Sequence, residues 1–390
     1  MAFFPRGPNN NDPHRKDWAI MAEDLENKAT SYEAWMREEG VPVVEGYGVD
    51  VAKIALGAWP RRGGRGAFVQ LRGMEGATGM EIVEIPPGKA LEPEKHLYEK
   101  VIYVLEGLGS TEVWQAGQGK RFFEWGPGSL FAPPLNCWYR LINGGGQRAL
   151  LAAVTNAPLI IDMFHNSDFI FNCDYQFRDR YDGEEDYFAV GKKRYMVGRG
   201  NYWDTNFIAD VATAPIDAHE WKAAGGGFTG FEIAGNSLVG HLVEWPVGRY
   251  HKAHYHGSGA VLLILKSEGY TIMWPNELGI HPYQDGHGDQ VVRVDWKPGS
   301  SFSPPSGWFH QHFNLGSEKA RQLALRYGSK RHKMGIYLAA QKRDGGVFIS
   351  VKEGGTLIEY EDEDPEIRRD YVAGLKERGV PLDMPGIGRR

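Results

Sequence analysis

Cysteine is nearly missing: Cys137 and Cys173 are the only two in 390 residues. Two thiols cannot knit a disulfide scaffold or fill a cysteine-rich zinc domain. Cys137 has no resolving cysteine nearby and reads as an inert interior thiol. No apolar run approaches the roughly 18 residues of a membrane-spanning helix, so no membrane partner is expected. The opening Met-Ala-Phe-Phe breaks at Pro5 before a secretory core can build. A reduced, soluble, cytoplasmic protein is the expectation. Excess positive charge is also lacking. Lys and Arg total 44 against 50 Asp and Glu, a net charge of −6. Nucleic-acid binders are usually basic, so no nucleic-acid partner is expected. Glycine strings at 63–66, 144–146 and 225–227 lack a following Lys-Ser/Thr, which excludes phosphate loops and leaves turns.

Glycine and aromatic residues are abundant instead. The chain has 51 Gly, 22 Pro, 12 Trp, 18 Tyr and 18 Phe, a mixture that favours strands joined by tight turns. Short apolar runs split by Gly and Pro fill 45–165, among them Gly79–Ile85, Val101–Leu105, Ser129–Phe131 and Ala149–Val154. The same style returns over 225–345, in Ser237–Trp245, Val261–Leu265, Tyr270–Trp274, Val291–Trp296 and Gln322–Tyr327. Spacing of about ten residues predicts all-β sandwiches or barrels. A helical arm is predicted over 1–44: Trp18, Met21, Ala22 and Leu25 fit one apolar face, and Ser31 caps a second helix running to Gly40. A polar, aromatic connector spans 166–224. The extension 346–390 carries a helix with Asp364 as cap, Pro365 in its first turn and Gly379 as its stop. Helical arms at both ends predict a homo-oligomer with symmetric contacts.

The two β blocks also share a motif. In the second, Gly248 is followed by His254-Tyr-His256, and then Gly299 by Pro305, Gly307, His310 and Asn314. Histidines two apart on a strand share a face, as His254 and His256 do, and likewise His310 and His312. In a closed barrel such imidazoles meet inside. The first block repeats the spacing in altered form: Gly88, Glu94, His96, Lys100 and Gly107, then Gly128, Pro134, Tyr139 and Asn143. One imidazole beside a Lys ammonium is a poor place for a dication, because like charges repel.

These spacings resemble the two signature motifs of the cupin superfamily, G-x5-H-x-H-x3,4-E-x6-G and G-x5-P-x-G-x2-H-x3-N. The second motif is complete here. The first keeps its Gly and both His but places Ala260 or Val261 where the family has a metal-binding Glu, and Gly269 falls slightly late. The resemblance implies an all-β-dominated bicupin: two double-stranded β-helix (jelly-roll) barrels with short helical extensions at both ends. It implies a degenerate, metal-free first barrel and a metal on His254, His256 and His310 in the second.

Three neutral imidazoles suit Fe, Zn, Ni or Cu, whereas Mn prefers oxygen ligands, so the missing Glu argues against a Mn site of the oxalate decarboxylase type. A three-His cupin without Glu is similar to the gentisate and salicylate ring-cleaving dioxygenases and to diketone-cleaving enzymes. That resemblance implies Fe(II), with a small oxygenated, anionic, aromatic or diketone-like substrate and dioxygen as partners. Two other functions remain open. One is a non-oxidative isomerase, lyase or decarboxylase using Zn, Ni or Mn. The other is a non-catalytic bicupin that binds small ligands.

Further candidates surround the motif. His312 is an acid/base or orienting residue, a further metal ligand, or a satisfied interior histidine. His251 belongs to the rim of the site. His241 lies on the pocket side or the outer face of its strand. Arg249 and Arg326 either anchor a carboxylate or form surface ion pairs. Trp274 and Trp308 line an aromatic pocket or pack in the core.

Overall fold

The computed structural model describes residues 28–74, 76–190, 193–195, 202–216, 225–257, 259–335 and 349–384. The predicted helix with Trp18 and Leu25 lies outside the described residues. Its continuation is present as Ser31–Glu39, closed by a reciprocal capping box in which Thr30, not Ser31, is the cap and Glu33 reaches back. Thr30 takes that role because its backbone is extended while Ser31 has already entered the helix.

The chain forms two cupin-type barrels, each a large sheet facing a three-stranded one. In the first, Val43–Gly46, Gly64–Leu71, Gly79–Ile85, Ala149–Thr155 and Lys100–Glu106 are neighbours in that order, opposite Trp138–Asn143, Gly109–Trp114 and Arg121–Trp125. In the second, Gly227–Ile233, Leu238–Trp245, Ala320–Ser329 and Ala260–Lys266 run side by side, opposite Val292–Trp296, Gly269–Pro275 and Trp308–Asn314. Alternation of side chains sends one set of residues into each barrel and the other outward.

Two short strands cross between the halves. Gly48–Asp50 leaves the first block to pair with Ser300–Phe302 of the second barrel. Phe207–Ile208 of the connector pairs with Leu130–Phe131 of the first. Two helices follow the last strand of the first barrel: Ala157–Phe164 closes the first block and Ser167–Asn172 opens the connector.

Outside the second barrel's small sheet, Tyr270, Ile272, Trp274, Phe309 and Phe313 are covered by Ile358, Ile367, Tyr371 and Leu375 of the C-terminal extension. The helix there is Pro365–Arg378, with Asp364 as cap and Gly379 left-handed at its end. Asp364 is fully buried and also accepts from the backbone N–H groups of Tyr283 and Gln284. One carboxylate thus ties the helix to a loop of the barrel.

Candidate metal centre

His254 and His256 sit on the segment entering the second barrel, and His310 on the strand Trp308–Asn314. Reciprocal backbone bonds join His254 to His310, at 3.2 and 3.0 Å. One ligand atom from each of the three imidazoles lies within 4.8 Å of the others. Each Nδ1 meets a backbone carbonyl: Lys252 at 3.1 Å for His254, Gly257 at 2.8 Å for His256, Trp308 at 3.1 Å for His310. A carbonyl only accepts, so each Nδ1 carries the proton, and the Nε2 lone pair becomes the ligating one. This outer hydrogen bond is the usual partner of a metal-ligating histidine. His254 and His310 are buried and His256 is half-buried, so His256 marks the outer side.

A small cavity of about 20 Å³ adjoins the triad, lined also by His241, Val243, His251, Ala260, Leu262, His312, Gln322 and Arg326. His241 therefore faces the pocket. Its ring stacks on Phe228 at 5.0 Å, and an Nη2 of Arg326 lies 3.3 and 3.4 Å from its two ring nitrogens. His312 is buried, its Nδ1 2.8 Å from the Thr271 hydroxyl, which accepts from the Trp296 indole at 3.1 Å. Reading His251 as a rim residue is corrected: it is 2% exposed, packed 4.4 Å from Trp245 and 5.4 Å from His312 at the inner end.

Three candidates are not brought to the cavity. Arg249 pairs with Asp383 at 2.8 Å on the surface. Trp274 is fully buried outside the barrel, its indole donating to Gly279. Its strand alternates, and Trp274 falls on the face covered by the C-terminal extension. Trp308 shares the inner face with His310 but stands one step farther out, against Tyr47 at 5.8 Å. Gln322 was not singled out from the sequence. Its signal was present, since Gln322 and Arg326 are four apart on one strand and so share a face.

Strand register identifies the same positions in the first barrel. Glu81 corresponds to His241, Glu94 to His254, His96 to His256, Lys100 to Ala260, Tyr139 to His310 and Leu141 to His312. Where Ala260 leaves space, the Lys100 ammonium reaches Glu81 at 2.8 Å and Glu94 at 2.9 Å. Arg62 adds a contact to Glu94 at 2.8 Å, and the Tyr139 hydroxyl donates to the same carboxylate. Burial works to raise the Glu94 pKa, but Arg62, Lys100 and His96 outweigh it and hold the carboxyl well below its ordinary value. Burial, followed by the Lys100 charge, pushes the His96 imidazole down to about 3.

The late glycine of the first motif also has an explanation. Gly107 is left-handed at φ 90, and its counterpart by spacing is Ser267 at φ 69, not Gly269. The Ser267 hydroxyl bonds to Asn314 at 2.7 Å, which holds this non-glycine in place.

No protein-family model matches the chain, and no curated protein matches it. Solved structures of oxalate decarboxylase are similar in fold. One, concerned with substrate binding and a reaction specificity switch, is 12% identical, covering 77% of this chain and 84% of its own with a TM-score of 0.46. Another, on the Mn(II) centres of the Bacillus subtilis enzyme, shows the same identity and coverage with a TM-score of 0.45. Identity at this level transfers no residue role.

Proposed function

We propose that His254, His256 and His310 hold a divalent transition metal, and that the chain is a metal-dependent enzyme acting on a small, anionic, oxygen-rich substrate by a non-oxidative route: isomerisation, elimination or decarboxylation. The observation that carries this reading is the shared tautomer. Three Nδ1–H groups are committed to carbonyls, so three Nε2 atoms present one neutral donor set. Imidazole donors fit Zn, Ni, Fe or Cu best, and Mn, which prefers oxygen ligands, less well. Bound there, a dication supplies Lewis acidity toward substrate oxygens.

The remaining groups are the chain's own. Arg326, held against His241, offers its guanidinium to a carboxylate. Gln322 adds an amide on the same face. Thr271 accepts from Trp296, so we assign its hydroxyl hydrogen to Nδ1 of His312, which leaves an Nε2–H on His312 to donate a hydrogen bond to a substrate oxygen.

A second reading, an Fe(II) dioxygenase cleaving a C–C bond of an aromatic hydroxy-acid or diketone-like substrate, is favoured by the absence of a carboxylate from the triad. Oxygen consumption separates the two. The protein, loaded in turn with Mn, Zn, Ni and Fe(II), is screened anaerobically against small hydroxy- and keto-acids. Turnover without dioxygen supports the first reading; activity that consumes dioxygen stoichiometrically overturns it. Absence of turnover with any metal returns the chain to a ligand-binding role.

A further inference from the structure

Residues of the first half of the chain pack against the second barrel beside Trp308. Trp308 lies on the inner face of its strand, one step outward of His310, and its ring meets Tyr47 at 5.8 Å. Arg72 places its guanidinium 5.5 Å over the Tyr47 ring and is exposed to solvent. Tyr47 is fixed because its carbonyl accepts from Ser303 at 3.3 Å, beside the crossing strand Gly48–Asp50.

The adjoining turn is equally tied down. The Gly73 carbonyl accepts from Gly259, three residues past His256, at 2.9 Å, and the Thr78 hydroxyl donates to the Gly259 carbonyl at 3.3 Å. A Cβ on Gly73 would lie 2.4 Å from the Pro304 and Ser303 oxygens, so this approach needs glycine. The Gly307 N–H in turn donates to the His256 carbonyl at 3.1 Å. Arg72, Tyr47 and Trp308 therefore border the segments that carry His256, the half-buried member of the triad.

We infer that Arg72 and Tyr47 control entry to the second barrel's cavity: Arg72 attracts small anions to the mouth, and Tyr47 with Trp308 limits their size. This rests on the reading of the second barrel as a metal centre for anionic ligands. A positive charge at a narrow opening raises the local concentration of anions and their on-rate, and salt screens the effect.

The test uses the full-length chain loaded with Co(II), mixed rapidly with azide and followed by cobalt absorption. Arg72→Gln lowers the azide association rate constant about two- to tenfold at low salt and flattens its dependence on ionic strength, and Arg72→Lys retains both. Tyr47→Ala narrows the preference for formate over benzoate as competing anions. Unchanged azide association and salt dependence in Arg72→Gln, at wild-type cobalt content, overturns the steering role. An unchanged formate preference in Tyr47→Ala overturns the size limit. Failure of the wild-type chain to bind cobalt, or cobalt blind to azide, defeats the metal-centre reading instead.

Discussion

At the scale of single residues, the two barrels show one cavity solved with opposite charges. In the second, three carbonyl-tethered imidazoles leave no carboxylate to balance a cation. His254→Ala or His310→Ala is expected to lower metal affinity by about 100-fold or more, since loss of an outer hydrogen bond alone costs 10- to 100-fold; metal analysis after gel filtration checks this. In the first barrel, Lys100→Met removes the ammonium that bridges Glu81 and Glu94, leaving Glu81 with Arg62 and Glu94 with Arg62, Arg61 and the Tyr139 hydroxyl. Breaking a buried ion pair on one side costs about 3–5 kcal/mol, readable as a lower urea midpoint. His96 stays neutral in the fold down to about 3, whereas an unfolded histidine takes its proton near about 6.5. The unfolded state therefore binds more protons between these values, and stability falls as pH drops through that window. Glu94, held low, gives up its contribution in the same direction at still lower pH. His96→Gln should shrink the loss of Tm between about pH 7 and about pH 4.5.

At the scale of elements, the caps were legible and the crossings were not. Asp364, Pro365 and Gly379 bounded their helix as the sequence pattern predicted, because each residue acts locally. Asp364 does more than cap, and its bonds to Tyr283 and Gln284 come from 81 and 80 residues away. Asp364→Ala is expected to cost about 2–3 kcal/mol, above the ~1 kcal/mol of an ordinary cap, because it strands buried donors. Differential scanning calorimetry gives that figure directly. Long strands such as Gly79–Ile85 and Leu238–Trp245 were visible through their apolar runs. Gly48–Asp50 and Phe207–Ile208, at three and two residues, are too short to show a period. Trp308 and Arg249 were each left with two readings for a related reason: nearness in sequence to the motif does not say which face or end of a strand a side chain occupies.

At the scale of the whole molecule, the sequence repeat foretold two barrels but not their mutual dependence. Each barrel borrows a strand from chain outside its own block, and Arg321 of the second barrel donates to the Val211 carbonyl beside one crossing at 2.9 Å. The halves are expected to unfold together. Circular dichroism and tryptophan fluorescence should give coincident urea transitions, and a fragment beginning at residue 225 should not retain the metal. Two separated transitions would show instead that the exchanged strands contribute little.

The Lys100 ammonium has a consequence for how the molecule matures. Its countercharge is covalently built in, so the ribosome delivers it with the chain and no chelator can strip it. The first barrel can settle during synthesis whatever the supply of trace elements, and offer its exchanged strand as a template. On the proposed function, only the second barrel would draw its cation from solution.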